Sequence, residues 1–288
     1  MIRKAVIPAA GFGTRVLPMT KAVPKEMLPI VDKPSIQYIV EECVKSGITD
    51  ILIITTRGKE VIEDHFDKSP ELERALDKPG KESLLEQVKG ISDMANIYYL
   101  RQKEAKGLGH AILCAKEFTG NEPFMVLYPD DVIFGEKPVA LQLIEAYNEF
   151  GKACVGIKAV APEAISRYSS LKVENLKDNI YDVTDMIEKP AKGQEFSLYS
   201  ILGRCLLTAD IYPILENTKP GAGGEIQLTD AMAVLARDGK MTGVDFIGKR
   251  YDMGNKLGVL MANIEQGVLH NEIGNDLKEY LKEFVKTL

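Results

Sequence analysis

Short apolar runs recur along the chain, and between them apolar residues fall at helical spacing. Lys4 to Pro8 reads as a first strand. After Pro34-Ser35, the residues Ile36, Ile39, Val40, Cys43 and Val44 line one helical face, and Gly47 supplies the stop. Ile51 to Thr56 is a β-branched run that reads as a buried parallel strand. Strand, helix, strand in that order predicts a right-handed βαβ unit. Residues 59 to 95 are charged and helical, broken at Pro70 and Pro79-Gly80. Ile97–Leu100, Phe124–Tyr128 and Ala153–Val160 read as further strands, with helices opening near Gly107 and Pro138. From about 161 to 205 the pattern shifts to short alternating runs. Leu171–Val173, Ile180–Val183 and Met186–Pro190 suggest smaller strands beside the main sheet. Helices resume near Asp210–Leu215 and Leu228–Arg237. In the helical tail from Leu257 to Leu288, Leu277, Tyr280, Leu281 and Phe284 share a stripe that core cover or a subunit contact would each explain.

With no linker, repeat or low-complexity segment, the pattern predicts one α/β domain over residues 1–288. It has three layers, a mixed and mainly parallel central sheet, and a small added β subregion. Three parts are expected within it: about 1–160, about 161–256, and helices over 257–288.

Composition narrows the class without changing that picture. The 288 residues are 45% hydrophobic and 27% charged, with net charge −6; this is an ordinary globular composition. The acidic balance gives no sign of a nucleic-acid surface, so a site for anionic substrates must gather positive charge locally. Cys43, Cys114, Cys154 and Cys205 are far apart and set among apolar residues, as expected of free thiols in a reducing cytoplasm. The start, Met1-Ile2-Arg3-Lys4, reads as no signal peptide, and no apolar run approaches the length of a membrane span. His65, His110 and His270 are scattered and give neither zinc spacing nor a catalytic triad.

The richest chemistry lies between Ala9 and Pro34. Gly11 and Gly13 permit tight turns and close backbone approach to a ligand, and successive N–H groups in such a turn form an anion-binding concavity. Arg15 and Lys25 add two cations, and Pro18, Pro24, Pro29 and Pro34 oppose a long helix. These features describe a polyphosphate cradle. A Walker A loop would need Lys-Ser/Thr where Thr14-Arg15 stand, and a dinucleotide fingerprint would need a small residue at Val16. Gln102 and Asp130 follow two other predicted strands, on the rim where open α/β sheets bind ligands. Asp130-Asp131 offers the carboxylate oxygens that Mg²⁺ prefers.

The run G-x-G-T-R, then P-K-E-M-L-P-I-V-D-K-P from Pro24 to Pro34, resembles the sugar-1-phosphate nucleotidyltransferases. Within them it is most similar to the bacterial UTP–glucose-1-phosphate uridylyltransferases. R-Q-K-E-x-K-G-L-G-H-A from Arg101, E-K-P at Glu188, the run from Gly221 to Asp230, and G-x-R-Y-D-x-G-x-K-L-G from Gly248 carry the resemblance through nearly the whole chain. It implies a Rossmann-like fold and synthesis of UDP-glucose and pyrophosphate from UTP and glucose 1-phosphate. Asp130 and Asp252 are then expected to share Mg²⁺, with Asp131 the lesser candidate. Arg15, Lys25 and Lys189 are the expected catalytic cations. Ala10, Gly11, Gly13, Thr14, Glu26, Gln102 and Gly107 are expected at the nucleotide, and Ser169, Glu188 and Lys189 at the sugar phosphate. A homodimer or homotetramer is expected, with neither nucleic acid nor membrane as partner.

Three departures stand out. Ser169 follows Tyr168 where the family has glycine, Cys205 stands where tyrosine is usual, and Tyr128 where leucine is usual. A side chain at 169 must either crowd the sugar or point away from it. This departure leaves open a regulatory, non-catalytic binder of UDP-sugars, as well as the same chemistry on another sugar 1-phosphate or dTTP.

Overall fold

The computed structural model describes residues 1–288, except for the side chain of Ala222. Strand β1 (Lys4–Pro8) leads into a long loop that ends in a small hairpin, β2 (Pro29–Ile30) and β3 (Lys33–Pro34). Helix α1 (Ser35–Lys45) returns the chain to β4 (Asp50–Thr55). Three helices, α2 (Glu60–Phe66), α3 (Pro70–Leu76) and α4 (Glu82–Ser92), precede β5 (Asn96–Arg101). Pro70 is tolerated because it opens α3, where its missing N–H has no intrahelical partner to lose. Helices α5 (Leu108–Cys114) and α6 (Lys116–Thr119) lead to β6 (Phe124–Leu127) and β7 (Asp131–Phe134), and α7 (Val139–Phe150) leads to β8 (Ala153–Ala159).

The second part of the chain contributes β9 (Ser169–Lys177), β10 (Ile180–Glu188), β11 (Tyr199–Leu207), α8 (Ile211–Asn217), α9 (Leu228–Arg237), β12 (Met241–Asp245), β13 (Lys249–Asp252), α10 (Lys256–Gly267) and α11 (Gly274–Val285). Nine strands form one sheet in the order β5-β4-β1-β6-β11-β8-β12-β10-β9. Only β11 and β10 run against the rest, so seven of the nine point one way. The mixed, mainly parallel α/β sheet of the sequence reading is therefore present.

The strands expected beside the main sheet are instead part of it. Residues 180–188 form one continuous strand, and β11 inserts at the centre between β6 and β8. The accessory β structure is the β2–β3 hairpin and the ribbon of β7 with β13. β11 escapes a pattern search because Gly203-Arg204 interrupts its apolar run. Gly203 takes a left-handed φ of 78°, and the register with β8 shifts between Ile201 and Cys205. Arg204 is fully buried, held by Glu42 of α1 through two hydrogen bonds of 2.9 and 2.6 Å. A charge at such a position is tolerated only because it is paired.

Two apolar cores cover the two faces of the sheet. One packs α1, α2, α7 and α10 against residues such as Ile7, Ile53 and Met125. The other packs α5, α8 and α9 against Val6, Ile54 and Val126. Alternate residues of the buried strands thus serve opposite layers. The stripe on α11 divides: Leu277 lies against Gly267 of α10, where a Cβ would come within 2.7 Å of it. Tyr280 and Phe284 are exposed and stack on each other.

Candidate active site

Because β1 is hydrogen-bonded to β4 on one side and β6 on the other, the carboxyl ends of neighbouring strands converge. The loop after β1, Gln102 after β5, and Tyr128-Pro129-Asp130 after β6 meet on that rim. The loop folds as three single turns at Thr14–Val16, Met19–Lys21 and Lys25–Met27. Only Gly13 needs glycine's conformational freedom: its φ is 67°, and a Cβ there would stand 3.2 Å from that of Lys25. Gly11 serves by leaving space, with nothing within 4 Å of where a Cβ would be.

Beneath the loop lies an ion pair that the sequence did not reveal. Lys59 donates to the carbonyl of Ala9 at 2.5 Å and to Oε2 of Glu26 at 2.8 Å. Glu26 is 1% exposed and lines neither cavity described below. Where a nucleoside contact was expected of it, the carboxylate is turned inward, with Oε2 held by Lys59 beneath the loop. Burial pushes the Glu26 carboxyl up, against the opposing charge of Lys59, and burial likewise pulls the Lys59 amine down against Glu26.

Two cavities adjoin on the rim. The first, about 380 Å³, is lined by Ala10, Gly11, Thr14, Lys25, Gln102 and Gly107. The second, about 650 Å³, is lined by Arg15, Ser169, Glu188, Lys189, Arg250 and Asp252, among others. Leu108, Tyr128 and Asp130 line both, so Asp130 stands at the junction. Gly13 supports this wall from behind through Lys25. Gly107, with φ 95°, is obligatory for packing as well: a Cβ would meet Glu225 at 2.7 Å and the carbonyl of Ile226 at 2.9 Å.

Lys25 donates to Oδ2 of Asp130 at 2.6 Å, and Arg15 reaches the same oxygen at 3.3 Å and Asp252 at 3.6 Å. Burial alone would raise the Asp130 carboxyl, but Lys25, through charge and hydrogen bond, and then Arg15 hold it below its ordinary value. Burial opposes the charged form of Lys25, yet Asp130 and Glu26 outweigh it and keep the amine above its ordinary value.

The ribbon of β7 with β13 brings Asp252 alongside. Asp252 pairs in register with Asp131, and the N–H of Met253 donates to the carbonyl of Asp130 at 2.7 Å. Asp131 turns the other way, its Oδ1 held at 2.5 Å by Arg250. Among the described residues no group of three metal-ligating side chains forms. Two carboxylates bridged by one guanidinium suit a cation that takes one or two protein carboxylates and completes its shell with phosphates and water.

Gly254 and Gly258 make room for this arrangement. A Cβ on Gly254 would stand 2.3 Å from Arg15 and 2.8 Å from Asp252, and one on Gly258 would meet the Asp252 carbonyl. Gly254→Ala should therefore displace Arg15 and lower kcat/KM by roughly 10²-fold, the cost of a misplacement of about 1 Å. Steady-state kinetics together with a melting curve check this, and a variant of wild-type activity would show that Arg15 need not sit between the carboxylates.

In the second cavity, Glu188 accepts from Thr229 at 2.8 Å, a partner on α9 not singled out from sequence. Lys189 has a left-handed φ of 47°, unusual without glycine, with its N–H bonded to the carbonyl of Tyr168 at 2.9 Å. Lys189 lines the cavity with a half-exposed side chain, its ammonium 3.9 Å from Glu188. Ser169 does not place its hydroxyl against the cavity space. Oγ accepts from the N–H of Ile201 at 3.1 Å and lies 3.3 Å from the Ser200 hydroxyl. Of the two expected placements, the hydroxyl takes the one that points away, toward β11. Ser169→Gly should leave KM for a sugar phosphate unchanged and reduce stability by about 1–3 kcal/mol, the cost of a buried N–H left unpaired. Denaturant unfolding checks the second point, and a fall in KM would restore the crowding account.

A glycine loop bearing two cations, a carboxylate pair and a second, cation-bearing cavity on the rim of one α/β sheet suit a class of enzymes that join two phosphate-bearing substrates. The Nucleotidyl transferase family profile matches residues 4–265. The chain is 49% identical over 285 residues to the UTP–glucose-1-phosphate uridylyltransferase YngB of Bacillus subtilis (strain 168), covering 99% of this chain and 96% of that one. It is also similar to the crystal structure of a UDP-glucose pyrophosphorylase complexed with UDP-glucose, at 42% identity and TM-score 0.85, with 92% and 98% of the two chains covered. A UTP-bound UGPase from Acinetobacter baumannii has 37% identity and TM-score 0.90, with 98% and 99% covered. The chain belongs to the nucleotidyl transferase family, whose members generally use a divalent metal. Among the described residues no helix is long and apolar enough to cross a membrane.

Proposed function

We propose that this chain makes UDP-glucose and pyrophosphate from UTP and glucose 1-phosphate. The observation that carries the reading is Asp130, standing where the two cavities meet, with Lys25 and Arg15 on one of its oxygens. UTP occupies the first cavity with its triphosphate along the loop N–H groups at Ala10, Gly11 and Thr14. Glucose 1-phosphate occupies the second, with Glu188 on its hydroxyls and Lys189 on its phosphate.

A phosphate oxygen of the sugar attacks the α-phosphorus in line. The new P–O bond forms as the bond to the β-phosphate oxygen breaks, and pyrophosphate leaves with that electron pair. No protein nucleophile is needed, so positioning and charge account for catalysis. Lys189 offsets repulsion between the two anionic substrates. Lys25 faces the α-phosphate, where charge is concentrated at the transition state, and Arg15 faces the departing pyrophosphate. Asp130 and Asp252 would hold Mg²⁺, which when bound supplies further neutralisation of phosphate charge. The four cysteines are all free thiols, which supports action in the cytoplasm.

Incubation with UTP, glucose 1-phosphate and Mg²⁺ tests the reading. Pyrophosphate and UDP-glucose should appear in equal amounts, stop with EDTA, and resume when Mg²⁺ is restored. Absence of turnover with UTP, or faster turnover with galactose or N-acetylglucosamine 1-phosphate or with dTTP, would overturn the proposed substrates.

A further inference from the structure

His110 lies on α5 and does not line the nucleotide cavity, yet it touches a residue that does. The Gln102 amide nitrogen lies 2.8 Å from His110 Nδ1 and 3.2 Å from the carbonyl of Gly107. A backbone carbonyl can only accept, so the amide face toward Gly107 is the NH₂ group. His110 Nδ1 must then be the acceptor of the second N–H, with the ring proton on Nε2. Both amide hydrogens are thereby committed within the protein. Oε1 makes no hydrogen bond among the described residues and is the atom left for a ligand. The backbone of Gln102 is fixed as well, its N–H donating to Thr55 at 2.9 Å.

We infer that His110 is a positioning residue for base selection. By accepting from Gln102, it fixes which end of the amide the base meets. The inference rests on the reading of the first cavity as the nucleotide site. An acceptor presented to a pyrimidine ring edge pairs with the N3–H of uracil or thymine. It opposes the N3 lone pair of cytosine. The geometry therefore selects uracil and thymine over cytosine, and this edge does not distinguish UTP from dTTP. If the His110 acceptor is lost, the amide has only the longer bond to Gly107 to hold it. It can then rotate and offer NH₂ to the base, which suits cytosine.

Dissociation constants for UTP and CTP, measured by calorimetry with Mg²⁺, give a selectivity ratio that does not depend on turnover. Gln102→Leu should lower the UTP/CTP preference by roughly 10–100-fold, as a buried polar mismatch implies. His110→Leu should lower it about three- to tenfold, the worth of one neutral hydrogen bond. His110→Asn, whose Oδ1 can replace Nδ1 as acceptor, should keep it within about twofold of wild type. In the Gln102→Leu background, His110→Leu should change the ratio no further. If Gln102→Leu lowers the ratio while His110→Leu leaves it intact, or weakens both nucleotides equally, His110 is only a packing residue. Should Gln102→Leu itself leave the ratio unchanged, the reading of the cavity as a base site fails before the inference is reached.

Discussion

Lys25→Ala should lower kcat by roughly 10²–10³-fold, the range found when one preorganised charge or donor is removed from a reaction centre, with a much smaller rise in KM for UTP. The ammonium is held 2.6 Å from Asp130 and is mostly buried, so its field acts through a medium of lower dielectric than water. The ground-state triphosphate has other partners along the loop, which limits the effect on binding. The charge that accumulates around the α-phosphorus has few alternatives there, so the loss falls on the transition state. Lys25→Ala also removes the closest cation from Asp130, leaving Arg15 at 3.3 Å as its remaining ionic partner. Metal titration of the variant separates that effect from the direct one: if saturating Mg²⁺ leaves kcat depressed, the missing charge acts on substrate. A variant with wild-type kcat would remove Lys25 from the mechanism.

The parts of this site that could be read from sequence are the parts built locally. Gly13, Arg15, Lys25 and the prolines between them define the loop through turn chemistry and short-range charge, so the cradle is visible in a single stretch. Parallel strands buried on both faces also announce themselves as apolar runs, which is why β1, β4, β6 and β8 were legible. What escaped depends on pairing between distant residues. Glu26 looks like one more polar loop residue until Lys59 is found beneath it. Asp131 is set below Asp130 only by the family resemblance, and the physical reason, its pairing with Arg250, appears in the fold. β11 breaks its own pattern with Arg204, whose partner Glu42 lies on α1.

The departures from the family pattern teach the same lesson. Tyr128 and Cys205 appear as two unrelated oddities in sequence. In the fold the Tyr128 hydroxyl lies 3.6 Å from the Cys205 sulfur, so the ring absent at one position and the ring present at the other adjoin. Cys205 lies on β11 and Tyr128 just past the end of the neighbouring β6, and Tyr128 lines both cavities. The two departures thus meet in space, although Cys205 is buried and lines neither cavity. Ser169 is the converse case: sequence left two placements open, and the N–H of Ile201 on β11 gives its hydroxyl a partner.

Asp130→Asn and Asp252→Asn should each reduce kcat by roughly 10³-fold or more, and the double variant should be little worse than either. Asp252 ends β13 and Asp130 stands in the turn just before β7, yet both carboxylates share Arg15, and in the proposed mechanism they share Mg²⁺. Residues that act through one centre are non-additive, because the first loss already removes most of what the second contributes. Asparagine preserves size and one acceptor oxygen while removing the charge, so folding should survive. Asp252 Oδ1 also accepts from the N–H of Gly254 at 2.8 Å, a bond the asparagine oxygen can keep. Isothermal titration with Mg²⁺ in the presence of UTP should show weakened binding in both single variants, and melting curves should report intact folds. Defects that multiply as independent losses, or activity that persists in EDTA, would rule out a shared metal. Asp131→Asn provides the internal comparison. Its carboxylate is committed to Arg250, so the substitution should act on stability and on the second cavity, leaving Mg²⁺ affinity within a few-fold of wild type.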